Sequence, residues 1–216
     1  SQVRVGNWEA LTCPLDVRSL VQLGDTTYCA TGGGLLLFHN STFEVLTTVH
    51  GLNGVDLLSI SKDNYNNIWI GGKSPNGFVQ IYDNEKNSID VFDYGLTEIT
   101  KFYIGDSIAL ASFIDGQDVG LIKWIYSDYQ WSYRDIYRNF PILIESINGI
   151  EIINDQVFLG TNSGLLAANT RHNLKDPDNW VLASNEYNIT IDAMRRIEDG
   201  FTFISNQNIY KVIFAE

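Results

Sequence analysis

The chain repeats itself, and the period of the repeat is the strongest constraint on its fold. Five turn residues that each precede a short apolar strand, Gly34, Gly77, Gly120, Gly164 and Asn208, are separated by 43, 43, 44 and 44 residues. A second column of acidic turn residues, Asp25, Asp63, Asp106, Asp155 and Asp199, is spaced by 38, 43, 49 and 44. Between the columns, apolar residues alternate or run in short blocks bounded by Gly, Asn and Asp, with no long helical periodicity. A period of about 40–45 residues holding several short strands is the pattern of β-propeller blades.

Each unit reads in the same phase. A first strand covers residues 17–23, 55–61, 99–104, 147–153 and 191–197. A turn follows, rich in residues that tolerate positive φ: Gly24-Asp25, Asn66-Asn67, Gly105-Asp106, Asn154-Asp155 and Asp199-Gly200. The second strand closes on small residues, as in Cys29-Ala30-Thr31, Ile70-Gly71-Gly72, Leu110-Ala111-Ser112 and Leu159-Gly160-Thr161. Bulk must be limited where successive sheets pack face to face. The third strand follows the Gly column, and an outer strand carries Phe43, Val91, Trp131 or Trp180.

The reading is therefore an all-β fold, a five-bladed β-propeller of four-stranded antiparallel blades, with residues 1–216 as one domain. The N-terminal strand at residues 5–11, with Trp8, would join the last blade and close the ring. The other reading is a piece of a six- to eight-bladed propeller.

Lys+Arg 14 against Asp+Glu 26 gives a net charge of −12. Nucleic acid and anionic lipid, which need dense basic surfaces, are excluded as main partners. No apolar run is long enough to span a membrane as a helix. The chain opens Ser1-Gln2-Val3-Arg4, as a mature or trimmed chain would. Cys13 and Cys29 are compatible with one disulfide at the seam or with two free thiols. With no CxxC and scattered His39, His50 and His172, the pattern calls for no metal, no cofactor and no nucleophilic triad.

Candidate binding residues lie in the loops that a propeller gathers on one face. Counting seven residues back from each turn Asp gives Arg18, Asp56, Ile99, Asn148 and Asp192, expected at a channel mouth. Arg18, Asp56, Asn148 and Asp192 would suit a sugar or small polar ligand there; equally, they would form a ring of solvated polar groups with Arg18 paired to an acid. His50, Asn76, Asp115 and Asn162 belong to the surrounding loops, and the longest insert is residues 135–141. The enzymatic alternative makes Asp56 and Asp192 the general acid and base of a glycoside hydrolase. Asp63-Asn64-Tyr65-Asn66-Asn67 has the oxygens of a calcium loop, but Asx-turn hydrogen bonding explains it without metal.

The stretch Leu57-Leu58-Ser59-Ile60-Ser61-Lys62-Asp63, continuing through Asn67-Ile68-Trp69-Ile70-Gly71-Gly72 to Gly77-Phe78, resembles the two-component-regulator propeller repeat. Phe158-Leu159-Gly160-Thr161-Asn162-Ser163-Gly164-Leu165 matches its second half. Val5-Gly6-Asn7-Trp8 with Tyr28-Cys29-Ala30-Thr31-Gly32-Gly33-Gly34-Leu35 is similar to the N-terminal propeller of PorZ-like proteins of type IX secretion. Family propellers typically have seven blades, against five here. The resemblance implies an extracytoplasmic binding module without catalysis. Its partner would be a protein or a glycan, recognised by a monomer or by one domain of a larger protein.

Overall fold

The computed structural model describes residues 11–83, 85, 87–183 and 189–214. The chain divides into two units, Ser1–Ile99 and Thr100–Glu216. The first holds two antiparallel sheets: β1 (Val17–Leu23), β2 (Thr26–Thr31), β3 (Gly34–His39) and β4 (Thr42–Leu46); then β5 (Leu57–Lys62), β6 (Ile68–Gly72), β7 (Gly77–Tyr82) and β8 (Ser88–Leu96). β9 (Glu98–Ile104) opens the third sheet, continued by β10 (Ile108–Asp115), β11 (Asp118–Ser127) and β12 (Gln130–Tyr137). The fourth is β13 (Ile147–Ile153), β14 (Gln156–Thr161), β15 (Gly164–Asn169) and β16 (Trp180–Leu182). The fifth shows three described strands, β17 (Ala193–Ile197), β18 (Gly200–Ser205) and β19 (Asn208–Ile213). Consecutive sheets of meandering antiparallel strands are the blades of a five-bladed β-propeller, as the repeat implies. The expected closing strand lies almost wholly outside the described residues; Leu11, at its end, is in no strand. No helix among the described residues is long and apolar enough to cross a membrane.

Turn chemistry sets the hairpins. Gly24 (φ 57), Asn66 (φ 66) and the pair Asn154 (φ 50) and Asp155 (φ 60) are left-handed, as expected. Gly105, Asp199 and Gly200 are not among the left-handed residues, so the five turns are not alike. Asp63 forms a closed Asx loop: Oδ1 accepts from the amides of Tyr65 (2.9 Å) and Asn67 (2.9 Å), and Oδ2 from Asn67 Nδ2 (2.9 Å). Asp83 does the same for Glu85 and Asn87.

The core lies between successive sheets. In the first unit Leu35 and Leu37 pack with Leu57, Ile70 and Phe78. In the second, Leu121 and Tyr137 join Ile147, Leu159 and Trp180, while Phe158 and Leu165 join Phe201 and Phe203. The small-residue column has a direct cause. A Cβ on Gly160 would stand 2.7 Å from Ile191 Cγ2, and one on Gly71 would stand 2.7 Å from Ile99 Cγ2. Both cysteines are free thiols, Cys13 exposed and Cys29 buried.

Two registers correct the sequence alignment. Bulges between Val17 and Ser19, Leu57 and Ser59, and Ile147 and Gly149 leave Arg18, Leu58 and Asn148 as the extra residues. Asp56 therefore stands at the level of Asp16 and not of Arg18, because the five-residue turn after Lys62 shifts the count back from Asp63. Ile99 does not reach a channel mouth either. It is buried over Gly71, the role Ile191 plays over Gly160. In the third sheet Phe113, not Ser112, stands opposite Gly120, as Thr31 stands opposite Gly34 and Thr161 opposite Gly164.

Candidate binding site on the loop face

Thr31–Gly34, Thr161–Gly164 and Ser205–Asn208 are the last pairs of their hairpins. The β10–β11 hairpin continues two pairs further, through Ile114–Val119 and Asp115–Asp118. This extension raises one wall of a cavity of about 480 Å³ in the second unit. The opposite wall is the β12–β13 connection, residues 138–144, and Pro177 of a short 3₁₀ turn (Pro177–Asn179) borders it.

The apolar side of the cavity, Val119, Phe140, Ile142 and Ile144, rests on the core of its unit. Phe140 packs edge to face on Trp180 with centroids 5.2 Å apart, and the Trp180 indole donates to the Leu174 carbonyl at 3.0 Å. A floor fixed in this way is preformed, as ligand pockets of this size usually are. The polar side is Gln117, Asp118, Arg138 and Asn139. The Arg138 guanidinium pairs with Asp115 at 2.9 Å and lies 4.7 Å from the centroid of the Phe113 ring. An ion pair and a cation–π contact together hold an otherwise flexible side chain at the rim.

Of the residues singled out from sequence, Asp115 and Asn162 buttress this cavity without lining it. Asn162 Oδ1 accepts from the amides of Glu145 (2.8 Å) and Ser146 (3.1 Å), and Ser163 Oγ donates to the Leu143 carbonyl (2.9 Å). These bonds pin the far end of the β12–β13 connection. Asn148 Nδ2 donates to the Ile191 carbonyl at 2.8 Å, and exposed Asp192 donates its amide to the Ile204 carbonyl at 2.8 Å.

In the first unit Arg18 binds Asp56, Asp16 (2.8 Å) and the Leu57 carbonyl (3.0 Å), and Lys73 approaches Asp56 at 3.8 Å. The bond to Asp56 is the main reason the Arg18 pKa lies above its ordinary value. His50 Nδ1 accepts from the Thr47 amide at 3.1 Å and so caps a 3₁₀ turn, and Asn76 is exposed in a bend. Arg138, with Asn139, Phe140 and Pro141, falls in the 135–141 insert that the sequence marked among the binding loops, whereas Phe113, against which Arg138 lies, is the residue of this site that sequence reasoning missed. The available signal was the apolar Phe113-Ile114 pair running on beyond the small residues of β10. Among the described residues no group of three or more His, Cys, Asp or Glu is placed to hold a metal.

The architecture is shared with solved structures. The chain is similar to the extracellular domain of the hybrid two-component system BT3049 from B. thetaiotaomicron, 18% identical over 90% of this chain, with TM-score 0.67. It is similar to PorZ, a surface component of the type-IX secretion system of Porphyromonas gingivalis, at 15% identity over 93% of this chain and TM-score 0.66. The extracellular domain of BT4673 from B. thetaiotaomicron gives 17% over 91% and TM-score 0.66. These are the neighbours that the repeat resemblance implies, and at such identities the likeness establishes the fold. The chain spans 27% of the length of each of the three. No family model and no curated protein matches the chain.

Proposed function

We propose that the chain is a non-catalytic, extracytoplasmic binding module, a single propeller domain of a larger protein, which recognises a protein partner on its loop face. The observation that carries this is the preformed cavity between the extended β10–β11 hairpin and the β12–β13 connection. Its rigid floor and fixed rim suit recognition. The extracellular and surface context of the structural neighbours supports the location.

The charged groups favour binding over glycoside hydrolysis. Asp56 is engaged by Arg18 and Lys73, so its oxygens are not free to meet a glycosidic oxygen. Asp115 is likewise committed to Arg138.

The test exposes the immobilised chain to extracytoplasmic proteins and, separately, to a glycan array and glycoside substrates. Retention of a protein that is released by Ile142→Asp, a change in the cavity wall, supports the proposal. Turnover of a glycoside, or glycan binding with no retained protein, overturns it.

A further inference from the structure

We infer that the cavity beside Arg138 accepts an extended segment of a partner protein in which an aliphatic side chain is flanked by lysine or arginine. This rests on the binding-module reading and names the chemistry of its ligand.

Shape and lining select the aliphatic group. The wall formed by Val119, Ile142, Ile144 and Pro177 is aliphatic and prolyl. Its one aromatic ring, Phe140, is already packed on Trp180, so no free aromatic platform of the kind that stacks on sugar rings is offered. Gln117 and Asn139 add amide donors and acceptors at the rim, suited to the backbone of a peptide.

Charge selects the flanking residues. Arg138 is balanced by Asp115, and nearby Lys175 by Asp135 at 2.6 Å. Asp118 lines the cavity from the exposed hairpin tip, and among the described residues no cation or donor meets its carboxylate. Of the charged side chains that line the cavity, Arg138 and Asp118, only Asp118 is left without a counter-charge, in a chain whose net charge is −12. Such a field draws a basic segment and repels an acidic one, and it acts on the encounter as well as on the bound state.

The test uses the full chain and three short fluorescent peptides of equal length: leucine between lysines, leucine between glutamates, and serine between lysines. The first is expected to bind, with each of the others weaker by about tenfold, the step that 1.4 kcal/mol produces. Added salt weakens the first peptide, and Ile142→Asp removes its binding. Asp118→Lys reduces or reverses the preference for lysine over glutamate, and as an exposed turn change it keeps the test alive if the Ile142 variant fails to fold. Equal binding of the two leucine peptides, or binding indifferent to Asp118→Lys, overturns the inference. A photo-crosslinker at Leu143, which is 83% exposed, separates this from the broader proposal. A captured partner whose linked segment is acidic overturns the ligand chemistry and leaves the binding module standing. Failure of every peptide together with the absence of any captured protein overturns both.

Discussion

The indole Nε1 of Trp69 donates to Oδ2 of Asp63 at 3.2 Å, so the turn acid and the strand tryptophan of one repeat are a single hydrogen-bonded unit. Trp69 is fully buried and Asp63 is 4% exposed. Asp63→Ala removes the acceptor for this indole, for two backbone amides and for the Asn67 side chain. Stranding buried donors is the costly part, and a loss of about 2–4 kcal/mol is expected in urea unfolding. Asp63→Asn should fall between the two, because its amide nitrogen would face two donors. The same substitution at Asp83, whose loop is solvated, should cost less.

The close approach of β14 to Ile191 makes a second test. Gly160→Ala places a methyl 2.7 Å from Ile191 Cγ2, within the packed core of its unit. A loss of about 1–3 kcal/mol is expected from overpacking, seen as a lowered urea midpoint at unchanged slope. Gly95→Ala is the control. Nothing lies within 4 Å of its added Cβ, and only the φ of +70 resists it, so about 1 kcal/mol is expected. An effect at Gly160 no larger than that at Gly95 would show that Ile191 gives way and that close packing does not govern this position, since Gly160 is not in the left-handed region.

How far the sequence carried is visible in these residues. The blade phase was legible because a turn that needs Gly or Asn and a strand end that needs small side chains leave marks in every repeat. The cavity was legible only in its parts, as the Asp115 loop and the 135–141 insert where one repeat departs from the others; that the two enclose a common space was not. Periodicity placed Ser112 in the threonine column, whereas β10 runs on and puts Phe113 there. The contact of Phe113 with Arg138 then joins separate strands, and spacing says nothing of it. Asp115 and Asn162 were found as loop polars, but their roles, holding Arg138 and the 143–146 backbone, are tertiary. Arg18 with Asp56 was the reverse case: of the two readings the sequence offered there, Arg18 paired to an acid is the arrangement found.

Glu151 should make stability fall as pH rises. Burial raises its pKa, although the Arg196 amide at 2.8 Å and the Arg195 and Arg196 charges oppose the shift. The folded state then keeps the proton in a window where the unfolded chain has lost it. Stability from this group is present below the unfolded value and is lost as pH climbs through the raised folded value. Glu151→Gln keeps an acceptor for Arg196, so urea unfolding across that window should show a flatter profile and a variant more stable than the parent at neutral pH. Tyr137, pushed up to about 12 from 10.0 by burial, gives the same sign in alkali. Tyr137→Phe should remove that part of the alkaline loss.

Asn162 is the most economical handle on the cavity, because it touches the wall and not the ligand space. Asn162→Ala deletes the acceptor for the Glu145 and Ser146 amides, while the Ser163 bond to Leu143 remains. Glu145 is exposed and Ser146 half-buried, so water can replace part of what is lost, and a global cost of only about 1 kcal/mol is expected. The local effect should be larger. Hydrogen exchange at the amides of 143–146 should speed up strongly, with β13 and β14 unchanged, since local opening need not follow global stability. A wall that moves must be ordered again on binding, so any ligand of the cavity should bind more weakly through a faster off-rate. Unchanged exchange at 143–146 would mean that Phe140 on Trp180 alone sets the wall, and Phe140→Ala would then be the substitution that loosens it.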